Sequence, residues 1–212
     1  MIKNIIFDFD GVILDSVNIK TEAFREMYIK YDESSLDKII EYHLQQGGLS
    51  RYKKIKYFEE QILKKKISTH DINMLAKIFE EKVKSKVINC KYIDGALEFI
   101  MQKSELYDLY ISTGTPQKEI EEIVNAKLLN QYFKKIYGSP NSKMEHIQNI
   151  LINSNSSKKN TIFIGDSESD YESASQMGLK FLGVGKKDYF LNNGINFVND
   201  LTQLENYLSQ LK

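Results

Sequence analysis

Short apolar runs alternating with segments of helical period constrain this chain more than any other feature. Ile2-Lys3-Asn4-Ile5-Ile6-Phe7 closes on Asp8-Phe9-Asp10-Gly11, the pattern of a strand buried on both faces. Comparable runs recur at 106–111, 135–137, 161–164 and 181–184, with a weaker one at 196–198. Between them, residues 93–104, 116–126, 142–152 and 168–177 space their apolar side chains at three and four residues. Strand alternating with helix predicts an α/β fold, a doubly wound parallel sheet with helices on both faces. In such a sheet, chemistry gathers at the carboxyl ends of the strands.

The stretch 16–86 breaks the alternation. It carries no convincing strand, only helical spacing near 17–31, 33–46, 50–65 and 69–85, rich in Lys, Glu and Tyr. The expected division is a catalytic core of residues 1–15 and 87–212, interrupted by a helical subdomain of residues 16–86. Lys+Arg and Asp+Glu both number 29, so no charge excess draws nucleic acid or an anionic membrane. The one cysteine, Cys90, permits neither an intrachain disulfide nor a cysteine metal cage. Met1 to Asn4 lead straight into the first strand-like run without a signal-peptide pattern, and no run is long enough to span a membrane; the expectation is a cytoplasmic chain.

Four features fall at expected strand ends. Asp8 and Asp10 close the first strand, with the i, i+2 spacing that projects to one side. Ser112-Thr113-Gly114 closes the second. Lys143 follows the third, at the start of a helix, and Gly165-Asp166-Ser167-Glu168-Ser169-Asp170 closes the fourth. A parallel sheet would bring Asp8, Asp10, Asp166 and Asp170 into one crevice with one lysine. Two like charges at ~4 Å cost about 4 kcal/mol even at an effective dielectric of 20. Such a cluster calls for a cation or for raised pKa values, and oxygen-only donors point to a hard ion, with Mg²⁺ the usual choice beside a phosphate. Taken singly, each feature is an ordinary turn or helix cap; their joint placement is what carries the reading.

Asp8-Phe9-Asp10-Gly11-Val12, Ser112, Lys143 and the Gly165–Asp170 loop resemble, in order, the four motifs of the haloacid dehalogenase-like hydrolase superfamily. Asp15-Ser16 and Gly138-Ser139-Pro140 resemble its phosphatase branch, which includes phosphoglycolate phosphatases and beta-phosphoglucomutases. The resemblance implies a Rossmann-like core with an α-helical cap after strand one. It implies a Mg²⁺-dependent phosphatase acting on a small phosphorylated metabolite through an aspartyl-phosphate. Asp8 would be the nucleophile and Asp10 the general acid–base. Ser112, with the backbone of Thr113 and Gly114, would hold the phosphoryl group, and Lys143 would neutralise its charge. Mg²⁺ would be held by the Asp8 carboxylate, the Asp10 carbonyl and Asp166. Asp170 would serve through water or as an orienter of Lys143.

Asp10 argues for a C–O–P substrate, because dehalogenases and phosphonate hydrolases lack that second aspartate. Gly48-Leu49-Ser50-Arg51 resembles the loop by which beta-phosphoglucomutases hold a distal phosphate, so Ser50 and Arg51 are candidate substrate contacts; the alternative for Arg51 is a solvated arginine at a helix start. That branch also has a histidine just after the first motif, where this chain has Asn18-Ile19-Lys20. A sugar-phosphate mutase is therefore the second reading. A phospho-acceptor signalling module is a third, against which length and the fourth motif both count. Lys53, Lys54 and Lys56 read as a solvated face, although one or two could face the crevice. His43, His70 and His146 occupy no motif position. Hinges for cap motion are expected near Ser16 and 83–90.

Overall fold

In the computed structural model, which describes residues 1–185 and 187–211, six parallel strands form one sheet. They are β1 (Asn4–Phe7), β2 (Asp108–Pro116), β3 (Lys135–Ser139), β4 (Thr161–Gly165), β5 (Lys180–Val184) and β6 (Phe197–Val198), in the spatial order β3-β2-β1-β4-β5-β6. The strand order reverses at β1, and the motif-bearing β1, β2 and β4 lie side by side around that switch point.

Alternation along the strands builds two cores. Ile5 and Phe7 of β1, Leu109 and Ile111 of β2, and Ile162 and Ile164 of β4 pack toward α5 (Ala96–Lys103), α6 (Gln117–Ala126) and α10 (Leu204–Gln210). Ile6, Tyr110 and Phe163 point the other way, onto α7 (Lys143–Asn153) and α8 (Glu168–Gln176). These side chains are almost fully buried, each contributing on the order of 2 kcal/mol of apolar transfer free energy. A short helix, α9 (Asp188–Asn192), follows β5.

Residues between β1 and β2 form α1 (Val17–Tyr28), α2 (Glu33–Gln45), α3 (Arg51–Tyr57) and α4 (Thr69–Asn89), the helical cap, followed by α5 of the core. Asp32 and Ser68 cap α2 and α4 through side-chain acceptors. The cap closes around Phe24, whose ring centroid lies 5.2 Å from Phe58, 4.2 Å from Phe79 and 5.0 Å from the His43 ring. The helix expected over 50–65 is not continuous: after Tyr57 the turn widens, and Leu63 N–H donates to Phe58 C=O at 2.9 Å. Phe58 and Glu59 are adjacent yet both buried, and the wider turn accommodates both. The two chain connections between cap and core run side by side, with Asp15 N–H donating to Lys91 C=O and Ile93 N–H to Ile13 C=O, each at 3.0 Å. Among the described residues, no helix is long and apolar enough to cross a membrane.

Candidate active site

Asp8 lies one residue beyond β1, its backbone N–H donating to Ile164 C=O at 2.8 Å. Gly11 follows at φ +81, where an added Cβ would stand 2.5 Å from Asp166 Oδ2, so glycine is required by both backbone and space. Asp8, Asp166 and Asp170 are all buried, and each offers a carboxylate oxygen within 4.8 Å of the others. Burial, opposed by Lys143 and reinforced by Asp170, Asp166 and Asp10, pushes the Asp8 carboxyl up to about 8. Burial likewise raises Asp166, although Lys187 donates to its Oδ2 at 2.8 Å. Three oxygen donors that resist sharing negative charge fit a hard divalent cation.

Lys143 is the first residue of α7, placed there by a reciprocal cap between Ser142 and Glu145. Its ammonium sits 2.8 Å from Asp8 Oδ1 and also donates to Asp170. Although burial opposes the charge, Asp170 and Asp8 hold its pKa well above the usual lysine value. The other oxygen of Asp170 accepts from Ser167 Oγ at 2.7 Å and Ser167 N–H at 3.2 Å. Both Asp170 oxygens are thus engaged in orienting its neighbours.

Asp10 is engaged outside the three-carboxylate cluster. Its side chain accepts from Lys20, from Ser16 Oγ at 2.6 Å and from Thr115 Oγ1 at 3.2 Å. Burial would raise its pKa, but the Lys20 charge and these hydrogen bonds outweigh that and hold it below the usual carboxylate range. Lys20 is therefore a partner of Asp10, bridging it to Thr115 through a 2.9 Å hydrogen bond.

The second strand end requires a correction. β2 continues to Pro116, with a register irregularity between Ser112 and Pro116, and the pleat turns Ser112 away from the crevice. Ser112 Oγ lies 2.9 Å from His146 Nδ1, and His146 Nε2 lies 3.1 Å from Gly138 C=O. A carbonyl only accepts, and burial lowers the His146 pKa to about 4, so the neutral ring carries its proton on Nε2 and Ser112 donates to Nδ1. The Ser112 proton is spent inside the core. Thr113 instead lines the cleft beside Lys143, and its Oγ1 accepts from Thr115 N–H at 3.2 Å.

The cap loop lies directly on these motifs. Gly48 N–H donates to Ser169 Oγ at 2.9 Å, and a Cβ on Gly114 would meet Gly48 C=O at 2.7 Å. Ser50 precedes α3 and lines the cleft that holds Thr113 and Lys143. Arg51 is not solvated: it is buried, its guanidinium 2.7 Å from Glu119 of α6 and stacked over Phe79 at 4.8 Å. Lys54 also departs from the solvated-face expectation, since it is only 3% exposed, whereas Lys53 and Lys56 are exposed. Between cap and core lies a cavity of about 550 Å³ lined by Asp10, Lys20, His43, Arg51, Lys54 and Asp166 among others.

The sequence model of the haloacid dehalogenase-like hydrolases matches residues 5–184. No curated protein matches the chain. Among solved structures, a beta-phosphoglucomutase from Clostridium difficile superposes with a TM-score of 0.80 at 22% identity, covering 100% of this chain and 97% of its own. A haloacid dehalogenase-like family hydrolase from Streptococcus pneumoniae gives 0.73 at 20%, covering 98% of both chains. A predicted phosphoglycolate phosphatase from Haemophilus somnus gives 0.73 at 16%, also covering 98% of both. At these identities the structural likeness speaks for the fold, while the family match spans most of the chain, both sides of the cap and all four motifs: this chain belongs to the haloacid dehalogenase-like hydrolases.

Proposed function

We propose that the protein is a Mg²⁺-dependent phosphatase of a small phosphorylated metabolite, working through an aspartyl-phosphate on Asp8. The observation that carries this reading is the Asp8–Lys143–Asp170 arrangement beside Asp166. A buried carboxylate is pinned by an ammonium 2.8 Å away and crowded by two further carboxylates. A hard cation held by Asp8 and Asp166, with Asp170 close by, would supply charge neutralisation for the phosphoryl group and keep Asp8 ionised.

An Asp8 oxygen attacks phosphorus as the bond to the leaving oxygen breaks, and Lys143 balances charge on the transferring group. The leaving oxygen takes its proton from the Lys20 ammonium, which donates to Asp10, and the proton Asp10 later takes from water returns to Lys20. Asp10 then accepts a proton from water as that water attacks phosphorus, releasing phosphate and restoring Asp8. The hydroxyl contact to the phosphoryl passes from Ser112 to Thr113, with Gly114 N–H beside it. The cap of residues 16–86 excludes bulk water during both steps.

The mutase alternative assigns Arg51 to a distal phosphate, and Glu119 already engages that guanidinium. Phosphate release from a panel of phosphorylated metabolites, with Mg²⁺, with chelator and with Asp8→Asn, tests the phosphatase. Release that requires both cation and Asp8 supports it. Conversion of a sugar 1-phosphate to the 6-phosphate without free phosphate replaces it with the mutase.

A further inference from the structure

Four lysine and arginine side chains line the cavity between cap and core: Lys20, Arg51, Lys54 and Lys187. Three are paired, with Asp10, Glu119 and Asp166 respectively. Among the described residues Lys54 has no carboxylate partner. Its ammonium is held instead by His43 Nδ1 at 3.0 Å, His43 C=O at 3.2 Å and Gly47 C=O at 3.4 Å. Because Lys54 donates to Nδ1, the neutral His43 ring carries its proton on Nε2. That Nε2 is buried without any partner, in a residue only 5% exposed that also lines the cavity. An orphaned buried N–H is costly, and it stands beside a buried cation that lacks a counter-ion.

We infer that Lys54 and His43 form a specificity subsite in the cap for a second anionic group on the substrate, so that the preferred substrates are small phosphomonoesters bearing a carboxylate or a second phosphate. The inference rests on the phosphatase reading for the reacting phosphate, but the subsite has its own donors. An anion there accepts from Nε2–H of His43 and neutralises Lys54, closing both deficits at once. Burial lowers the Lys54 pKa to about 7, with Lys20 adding to the effect and Asp10, Asp166 and Asp8 opposing it, so a bound anion also keeps the proton on the amine. The subsite replaces Arg51 as the cap's grip on the substrate, since the Arg51 charge is already cancelled by Glu119.

The test compares phosphoglycolate with ethyl phosphate, and 3-phosphoglycerate with glycerol 3-phosphate, in the Mg²⁺-loaded protein. Wild type is expected to favour the carboxylate-bearing member of each pair in kcat/KM by at least about tenfold. Lys54→Met and His43→Leu are expected to shrink that ratio toward one. Turnover of the member without a carboxylate reports that each variant is folded. The same four compounds are titrated calorimetrically into Asp8→Asn with and without Lys54→Met, which reads charge preference in binding without turnover. Hydrolysis without a charge preference in wild type, or a ratio unchanged in Lys54→Met, overturns the subsite and leaves the phosphatase standing. No hydrolysis, with charge-dependent binding that Lys54→Met abolishes, overturns the phosphatase and supports the subsite. No hydrolysis and no charge preference in binding overturns both.

Discussion

Ser112 and Thr113 are neighbouring hydroxyls at one strand end, and the pleat separates their fates. Ser112→Ala removes the donor to His146 Nδ1 and leaves that nitrogen buried and unpaired, so it is expected to lower stability by about 1–3 kcal/mol with kcat nearly unchanged. Thr113→Val is expected to lower kcat/KM by roughly 10- to 100-fold, with a stability loss of about 1 kcal/mol because Thr115 N–H loses its acceptor. Thermal melts and steady-state kinetics on the pair check both outcomes. His146 itself adds an acid-side prediction. Its folded pKa of about 4 lies below the ordinary 6.5, so the folded state binds fewer protons than the unfolded one. Its contribution is therefore present above pH 6.5 and drains away as pH falls through 4, amounting to roughly 3 kcal/mol at most. His146→Gln is expected to reduce the loss of Tm between pH 6.5 and 4; an unchanged acid profile would contradict the assignment of a neutral, buried ring. The residue type alone did not distinguish Ser112 from Thr113, because which one faces the crevice depends on register, a property of the paired strand rather than of either residue.

At the scale of elements, the sheet was legible because its strands are apolar runs with flanking turn residues, and the motif carboxylates because strand ends in a parallel sheet must converge. Asp8, Lys143, Asp166 and Asp170 accordingly meet in one place. The five-residue α9 and seven-residue α10 were not legible, being too short for a helical period to register. The buried roles of Lys54, His43 and Arg51 were hidden for a different reason. On an isolated helix a Lys-rich stretch reads as solvated, and only the packing of α3 on α4 and of α4 on α6, with the His43–Lys54 and Arg51–Glu119 contacts, removes these groups from water. Arg51→Met leaves Glu119 buried without its cation and is expected to cost about 3–5 kcal/mol, whereas Arg51→Met combined with Glu119→Leu should recover most of that loss. Chemical denaturation of the two variants makes the comparison. The cap loop offers a second element-level prediction. Gly114→Ala places a Cβ 2.7 Å from Gly48 C=O, so the loop must withdraw, and kcat/KM is expected to fall about tenfold or more while the melting temperature holds. Unchanged kinetics would show that the loop need not sit on the motifs during turnover.

The whole molecule is a sheet whose switch point holds the acidic cluster, closed over by a cap that enters and leaves through two adjacent connections. Arg51–Glu119 and Lys84–Glu122 tie cap to core on the α6 side, while Gly48–Ser169 ties the loop to the fourth motif. Under the proposed function, the cap would choose the substrate while the core performs the chemistry, and the Leu14–Tyr92 bridge joins the two connections between them. The proposed function turns on one event, transfer of a phosphoryl group to Asp8. Acid-quenching the protein during turnover with Mg²⁺ and its best substrate, followed by mass spectrometry of the peptide containing Asp8, tests that event directly. One added phosphoryl group on that peptide, absent with chelator and absent in Asp8→Asn, is the expected result. Phosphate release at an undiminished rate in Asp8→Asn, with no adduct on the wild-type peptide, would contradict it.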